Sequence, residues 1–162
     1  MRPSGNLPRK ADTSLAGPDP ELDLEFPPRP EFVRVARHAI GALARMHGVT
    51  QGIVEDVKLA VSEGCTAAVA ANSEAGGTEP VQLRAWVGAE SVVIEVLDRS
   101  GEPEQLVAGN PRQINTGELP FERLLSVPII RGLVDEVSIG PREDGPGTRL
   151  RMVVSISEDD SI

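Results

Sequence analysis

Arg34 and Arg37 lie about one helical turn apart in the segment EFVRVARHAI. Their guanidinium forks suit bidentate contacts to carboxylates on a partner, although two arginines on one face also read as a solvated surface. Asp98 closes the apolar run VVIEVL, where a carboxylate either accepts a hydrogen bond or starts a turn. Ser126, two residues before Pro128, can cap a helix beginning there and leave some anion affinity at its N-terminus; a packing helix with no such role explains it equally. Gly147 and Thr148 leave the turn PREDGPG, an ordinary hairpin exit that also delivers a hydroxyl to the start of a strand. On spacing alone Glu63 reads as a solvent-facing helix carboxylate. Cys65 is the only cysteine and sits in an apolar helical run, so an inert core thiol and a reducing compartment are expected. His38 and His47 have no companions at metal-ligand spacing, and no metal site is predicted.

Secondary-structure elements must position these groups. Leu22, Leu24 and Phe26 alternate with charged residues as in a short half-buried strand, ended by Pro27, Pro28 and Pro30. Residues 31–47 carry a helical stripe of Phe32, Val35, Ala36, Ala39, Ile40, Leu43 and Met46, with Gly48 as its stop. A second helix is predicted over 50–72, with Thr50 as N-cap and Glu55 and Asp56 near the positive end of its dipole. Its second half, GCTAAVAAN, is built of small residues suited to close packing. Strands over 81–87 and 92–97 form a hairpin around residues 88–91. A long Gly, Pro and Asn-rich loop covers 99–117, a length typical of functional or disordered segments. A helix over 118–133, interrupted by Pro128, and two closing strands over 134–139 and 148–156 complete the order. Segregated helices and hairpin-joined strands predict an α+β two-layer sandwich, a mixed and mostly antiparallel sheet with helices on one face. The domain is placed at 21–157, between a disordered tail over 1–20 and a flexible tail over 158–162.

Composition narrows the function classes. The 162 residues carry a net charge of −9, and nothing offers the basic stripe that neutralising phosphates would require, so a nucleic-acid partner is not expected. No stretch approaches the roughly 20 apolar residues of a membrane span, and the start MRPSGNLPRK lacks a signal-peptide core, so a cytoplasmic location is expected. One Trp, three Phe and no Tyr leave the core to Val, Leu, Ile and Ala.

Three segments together carry a resemblance. VEDVKLAVSEGCTAAVAAN resembles the N-box helix D-x-x-x-A-V-x-E-x-x-T-N-A of the anti-sigma serine-kinase branch of the GHKL, histidine-kinase-like ATPase superfamily. VVIEVLDRSG resembles that branch's strand ending in the nucleotide-contacting aspartate, and IIRGLVDEVSI with GTRLRM resembles its closing helix, strand and Gly-Thr strand. The resemblance covers about residues 21–156. It implies that Glu63 is the general base, Asp98 the acceptor for the adenine amino group, and Gly147 and Thr148 the final element near phosphate or Asp98. Gly101 lies within the family's D-x-G-x-G segment, but Ser100 and Glu102 stand where its glycines would be. Ala67 occupies the position of the family's Mg²⁺-binding asparagine, and Leu124, Leu125, Ser126 and Val127 replace its G-x-G-L phosphate loop. Residues 102–117 correspond to the family's lid.

The resemblance implies a homodimeric anti-sigma-type regulator with weak or lost binding of ATP and Mg²⁺. Such a regulator would hold a sigma factor at Arg34 and Arg37 and be antagonised by a STAS-domain anti-anti-sigma protein. Two alternatives stand beside it: an active ATP-dependent serine kinase phosphorylating the STAS antagonist, and a general interaction module on a degenerate ATPase scaffold.

Overall fold

The computed structural model describes residues 17–74, 76–99 and 121–157. Strand β1 (Leu22–Phe26) leads into α1 (Pro30–Met46) and α2 (Gln51–Glu74). The hairpin β2 (Val81–Val87) and β3 (Ser91–Asp98) follows, then α3 (Phe121–Leu133) and the hairpin β4 (Glu136–Pro141) and β5 (Thr148–Ser155). The five strands form one sheet in the order β1-β2-β3-β5-β4. Every pairing is antiparallel, so the expected α+β sheet has no parallel component.

The period-2 pattern of the strands decides which face is covered. Leu22, Ala85, Ile94, Met152 and Val137 align across all five strands, and so do Leu24, Leu83, Val96, Leu150 and Ile139. Apart from Ile139, which is exposed at the end of its row, these residues meet Ile40, Val57, Val61, Cys65 and Ile130 of the three helices in one aliphatic core. At Gly64 the second helix comes so near the sheet that a Cβ would sit 2.8 Å from Leu150 Cδ2. The small residues of α2 thus bring its backbone down onto β3 and β5.

Helix α1 starts at Pro30 after an extended Arg29, carries Glu31 in its first turn, and ends before Gly48 at φ +72°, a conformation that glycine adopts without strain. Two residues assigned to its apolar stripe face outward instead: Val35 is 48% exposed and Met46 is 83% exposed. Helix α2 begins at Gln51, so its first turn holds no acidic residue; Glu55 lies beyond it and bonds Gln51 and Lys58. Pro128 does not interrupt α3, which runs through it with the ring exposed. Strand β4 begins two residues later than expected because Val134 still donates to Ile130 O in the last helical turn, and ladder contact starts with Asp135 N–H to Val153 O.

Candidate functional site

Asp98 is the last residue of β3, and the antiparallel register sets it directly opposite Thr148, the first residue of β5. Both lie on the helix-covered side of the sheet and are nearly enclosed, at 4% and 7% exposure. Thr148 Oγ1 is buried and has no hydrogen-bond partner among the described residues. Gly147 completes the arrangement. Its φ is +116°, and a Cβ built there would fall 1.9 Å from Asp98 O and 2.8 Å from Arg99 Cα. No side chain can occupy that position, so the glycine is what lets the two strand ends close on each other. Beside them the Arg99 guanidinium donates to Glu25 Oε1 at 2.7 Å, tying the exit of β3 to β1.

Glu63 projects from α2 one residue before the Gly64 contact with the sheet. It is half-buried and has no hydrogen bond or ion pair among the described residues. Ala67 follows one turn later on the same side of the helix, also half-buried, and offers a methyl group where an oxygen could otherwise stand. Between them Cys65 points into the core, and burial pushes its thiol up to about 12, which keeps it protonated and unreactive.

The remaining predicted groups are not part of this cluster. Ser126 lies inside α3, with helical residues for five positions before it, so its own turn is already hydrogen-bonded and it cannot cap the helix. Gly101 and the segment 102–117 lie outside the described residues. Arg34 is exposed and Arg37 half-buried on α1, next to exposed Val35, and neither forms an ion pair among the described residues. His38 is exposed, whereas His47 Nε2 meets Glu21 Oε2 at 2.6 Å and joins the end of α1 to the chain entering β1. Among the described residues no group of three or more His, Cys, Asp or Glu side chains could hold a metal ion, and no helix is long and apolar enough to cross a membrane.

The sequence pattern does not disclose the Gly147 contact, because nothing in PGT says which backbone it will touch. It also hides the opposite face of the sheet, where Trp86 Nε1 donates to Pro18 O at 2.6 Å and a trough of about 730 Å³ opens.

An antiparallel sheet backed by three helices, with a buried aspartate closing a strand and a Gly-Thr pair against it, defines a class. Residues 26–154 match the family described as histidine kinase-like ATPase domain, and the chain belongs to that family, in its RsbW-type anti-sigma serine-kinase branch. It is similar to the serine-protein kinase RsbW of Bacillus velezensis, at 30% identity over 124 residues covering 73% of this chain and 76% of that protein. The serine-protein kinases RsbW of Bacillus pumilus and Bacillus subtilis are 29% and 27% identical, with the same coverage of both chains. At the level of the family, the cofactor is ATP with Mg²⁺.

Proposed function

We propose that this chain is an anti-sigma-type regulator that binds a sigma factor and is released by a STAS-domain anti-anti-sigma protein, as a homodimer with weak or lost ATP binding. The reading is carried by a contrast between the strand ends at Asp98 and Thr148 and the helix surface at Glu63 and Ala67. At the base end, Asp98 has a buried carboxylate, and the buried Thr148 hydroxyl opposite it can donate to or accept from a planar ring. That pair fits a purine bearing an exocyclic amino group. The metal end does not fit. Mg²⁺ takes octahedral oxygen ligation from a few well-placed groups together with phosphates, and Ala67 supplies none on the Glu63 face. The residues present therefore do not support phosphoryl transfer through Mg²⁺ at this site. Arg34 and Arg37, with Val35 between them, give α1 an exposed cationic and apolar surface of the kind that binds acidic protein partners.

Calorimetric titration of ATP, with and without Mg²⁺, tests the reading. Weak or undetectable heat that Mg²⁺ leaves unchanged is expected; micromolar binding that requires Mg²⁺ would overturn it. One observation favours the active-kinase alternative: Glu63 is half-buried without a partner among the described residues, as a carboxylate waiting to take a proton would be. Phosphate transfer from ATP to a serine of a STAS protein, abolished in Glu63→Gln, would establish that alternative.

A further inference from the structure

The helices cover one face of the sheet, and over the other opens a trough of about 730 Å³, a volume in the range of ligand sites. One wall is a strap ahead of β1, Gly17, Pro18, Asp19 and Pro20, and the other is Glu143 and Asp144 in the turn between β4 and β5. Strand register sets the floor between them. Asp23, Arg84, Glu95 and Arg151 cross β1, β2, β3 and β5 in one row, alternating in sign at every step, and Trp86 and Val93 lie together in the row beside it. The carboxylates of the charged row are engaged: Asp23 accepts from Gln82 at 2.7 Å, and Glu95 lies 3.6 Å from Arg149. Donors are left over. Arg84 Nε, 3.7 Å from Asp23, has no hydrogen-bond partner among the described residues, and Arg151 has no ion pair among them. Trp86 Nε1 donates to Pro18 O at 2.6 Å. Gly17, Pro18 and Asp19 are exposed, and among the described residues that bond is the one hydrogen bond they make.

Trp and Arg side chains only donate hydrogen bonds, and the backbone of a proline only accepts them. A proline-rich chain in the polyproline II form makes no internal hydrogen bonds and leaves its carbonyls free, so it complements a floor of donors beside an apolar ledge. The strap displays that pairing at one point, with a proline carbonyl on the indole. We propose that this trough binds a proline-rich segment of a partner protein, which takes the place of the chain's own strap on Trp86. The spacing agrees. Strands β2 and β5 stand two strand spacings apart, about 10 Å, and polyproline II repeats every three residues, about 9 Å. Carbonyls one repeat apart thus reach Trp86 on β2 and Arg151 on β5, while the prolines between them pack on the indole and Val93. The two walls confine the occupant to an extended segment, since a whole domain would meet the strap and the turn before it reached the floor. The strap is then a tethered competitor, always at hand but lightly held. The proposal goes beyond the anti-sigma reading and does not depend on it.

Calorimetric titration of the full-length chain with a polyproline peptide of about ten residues tests the proposal, with a Gly-Ser peptide of the same length as control. Saturable heat below about 1 mM polyproline is expected, and none from the control. Arg151→Leu removes a donor from the floor and should weaken binding about fivefold. The double substitution Pro18→Gly with Pro20→Gly should act in the opposite direction. Glycines raise the conformational entropy of the released strap, so it competes less well and the peptide should bind about threefold more tightly. Circular dichroism of each variant before titration establishes that it is folded. No heat up to about 1 mM, or equal binding of the Gly-Ser peptide, overturns the proline-rich ligand. Affinity indifferent to Arg151→Leu overturns the trough as its site. Weaker binding to the glycine variant overturns the exchange, because the strap would then be a wall and not an occupant. Binding that disappears as the protein is concentrated would mean that a second copy covers the trough, and would overturn the peptide as its occupant.

Discussion

The two groups of candidate site residues are built in different ways. At the strand end, Asp98 and Thr148 are set opposite each other by backbone register, and Gly147 is required by the packing of main chain on main chain. At the helix end, everything depends on which side chains α2 carries at Glu63 and Ala67. A feature tied to the ladder cannot be lost without disturbing the sheet, whereas a metal ligand on a helix surface can be lost with no structural consequence. On the proposed reading, the contrast explains how the strand end of a nucleotide site could persist while the helix end loses its metal ligand.

The largest expected effect comes from breaking the strand end. Gly147→Val introduces a Cβ where Asp98 O lies 1.9 Å away, at a φ that β-branched residues reject. A loss of about 3 kcal/mol or more is expected, read as a fall of roughly 10 °C in the thermal midpoint.

A second test asks whether α2 is as firmly seated as the contrast requires, and Cys65 reports on it. Its thiol is neutral in both states below about pH 9, since the ordinary value is 9.0, but above that the unfolded chain releases the proton while burial holds it on the folded one up to about 12. The folded state then binds more protons, so stability should fall as pH rises through that window, by at most about 1.4 kcal/mol per pH unit. Urea midpoints at pH 8, 9 and 10 should decline in the wild type more steeply than in Cys65→Ala. Equal slopes would mean that the helix does not enclose the thiol.

The third substitution sharpens the contrast directly. Ala67→Asn supplies an oxygen one turn from Glu63 and should raise Mg²⁺-dependent ATP affinity about tenfold, or about 1.4 kcal/mol, with little change in folding. Calorimetry with and without Mg²⁺ reads it; unchanged affinity would place the defect elsewhere than Ala67. The smallest effect on the fold belongs to Arg34→Ala, within about 0.5 kcal/mol, because the side chain is exposed and without an ion pair among the described residues. Its consequence should emerge only as weaker pull-down of the sigma factor.

Much of the fold is legible in the sequence because apolar periodicity survives translation into burial. Leu22, Leu24 and Phe26, the alternation of β3 and the stripe of Ile40 and Leu43 on α1 all go where their spacing directs. The departures have specific causes. Val35 and Met46 sit at the margins of the α1 stripe, where a helical pattern alone does not say how wide a neighbouring surface will be. Pro128 reads as a break because an interior proline removes one donor and crowds the carbonyl four residues back, yet α3 continues through it. The same inference places a helix start at Ser126 and gives it a capping role that α3 does not leave open. Asp98, Gly147 and Thr148 can be picked out by motif, but their juxtaposition comes from strand register, which the local sequence does not print. The alternating charges of the open face look like ordinary solvent-facing positions, since only the order of strands aligns them.

Trp86 is the chain's sole tryptophan, and its indole is held by the Pro18 carbonyl over the open face, on the far side of the sheet from Asp98 and Thr148. Intrinsic emission excited at the red edge is therefore a single-site signal for one surface. A change of colour or quenching on adding a protein, with none on adding a nucleotide, would separate events on the two sides of the sheet in a cuvette without any label.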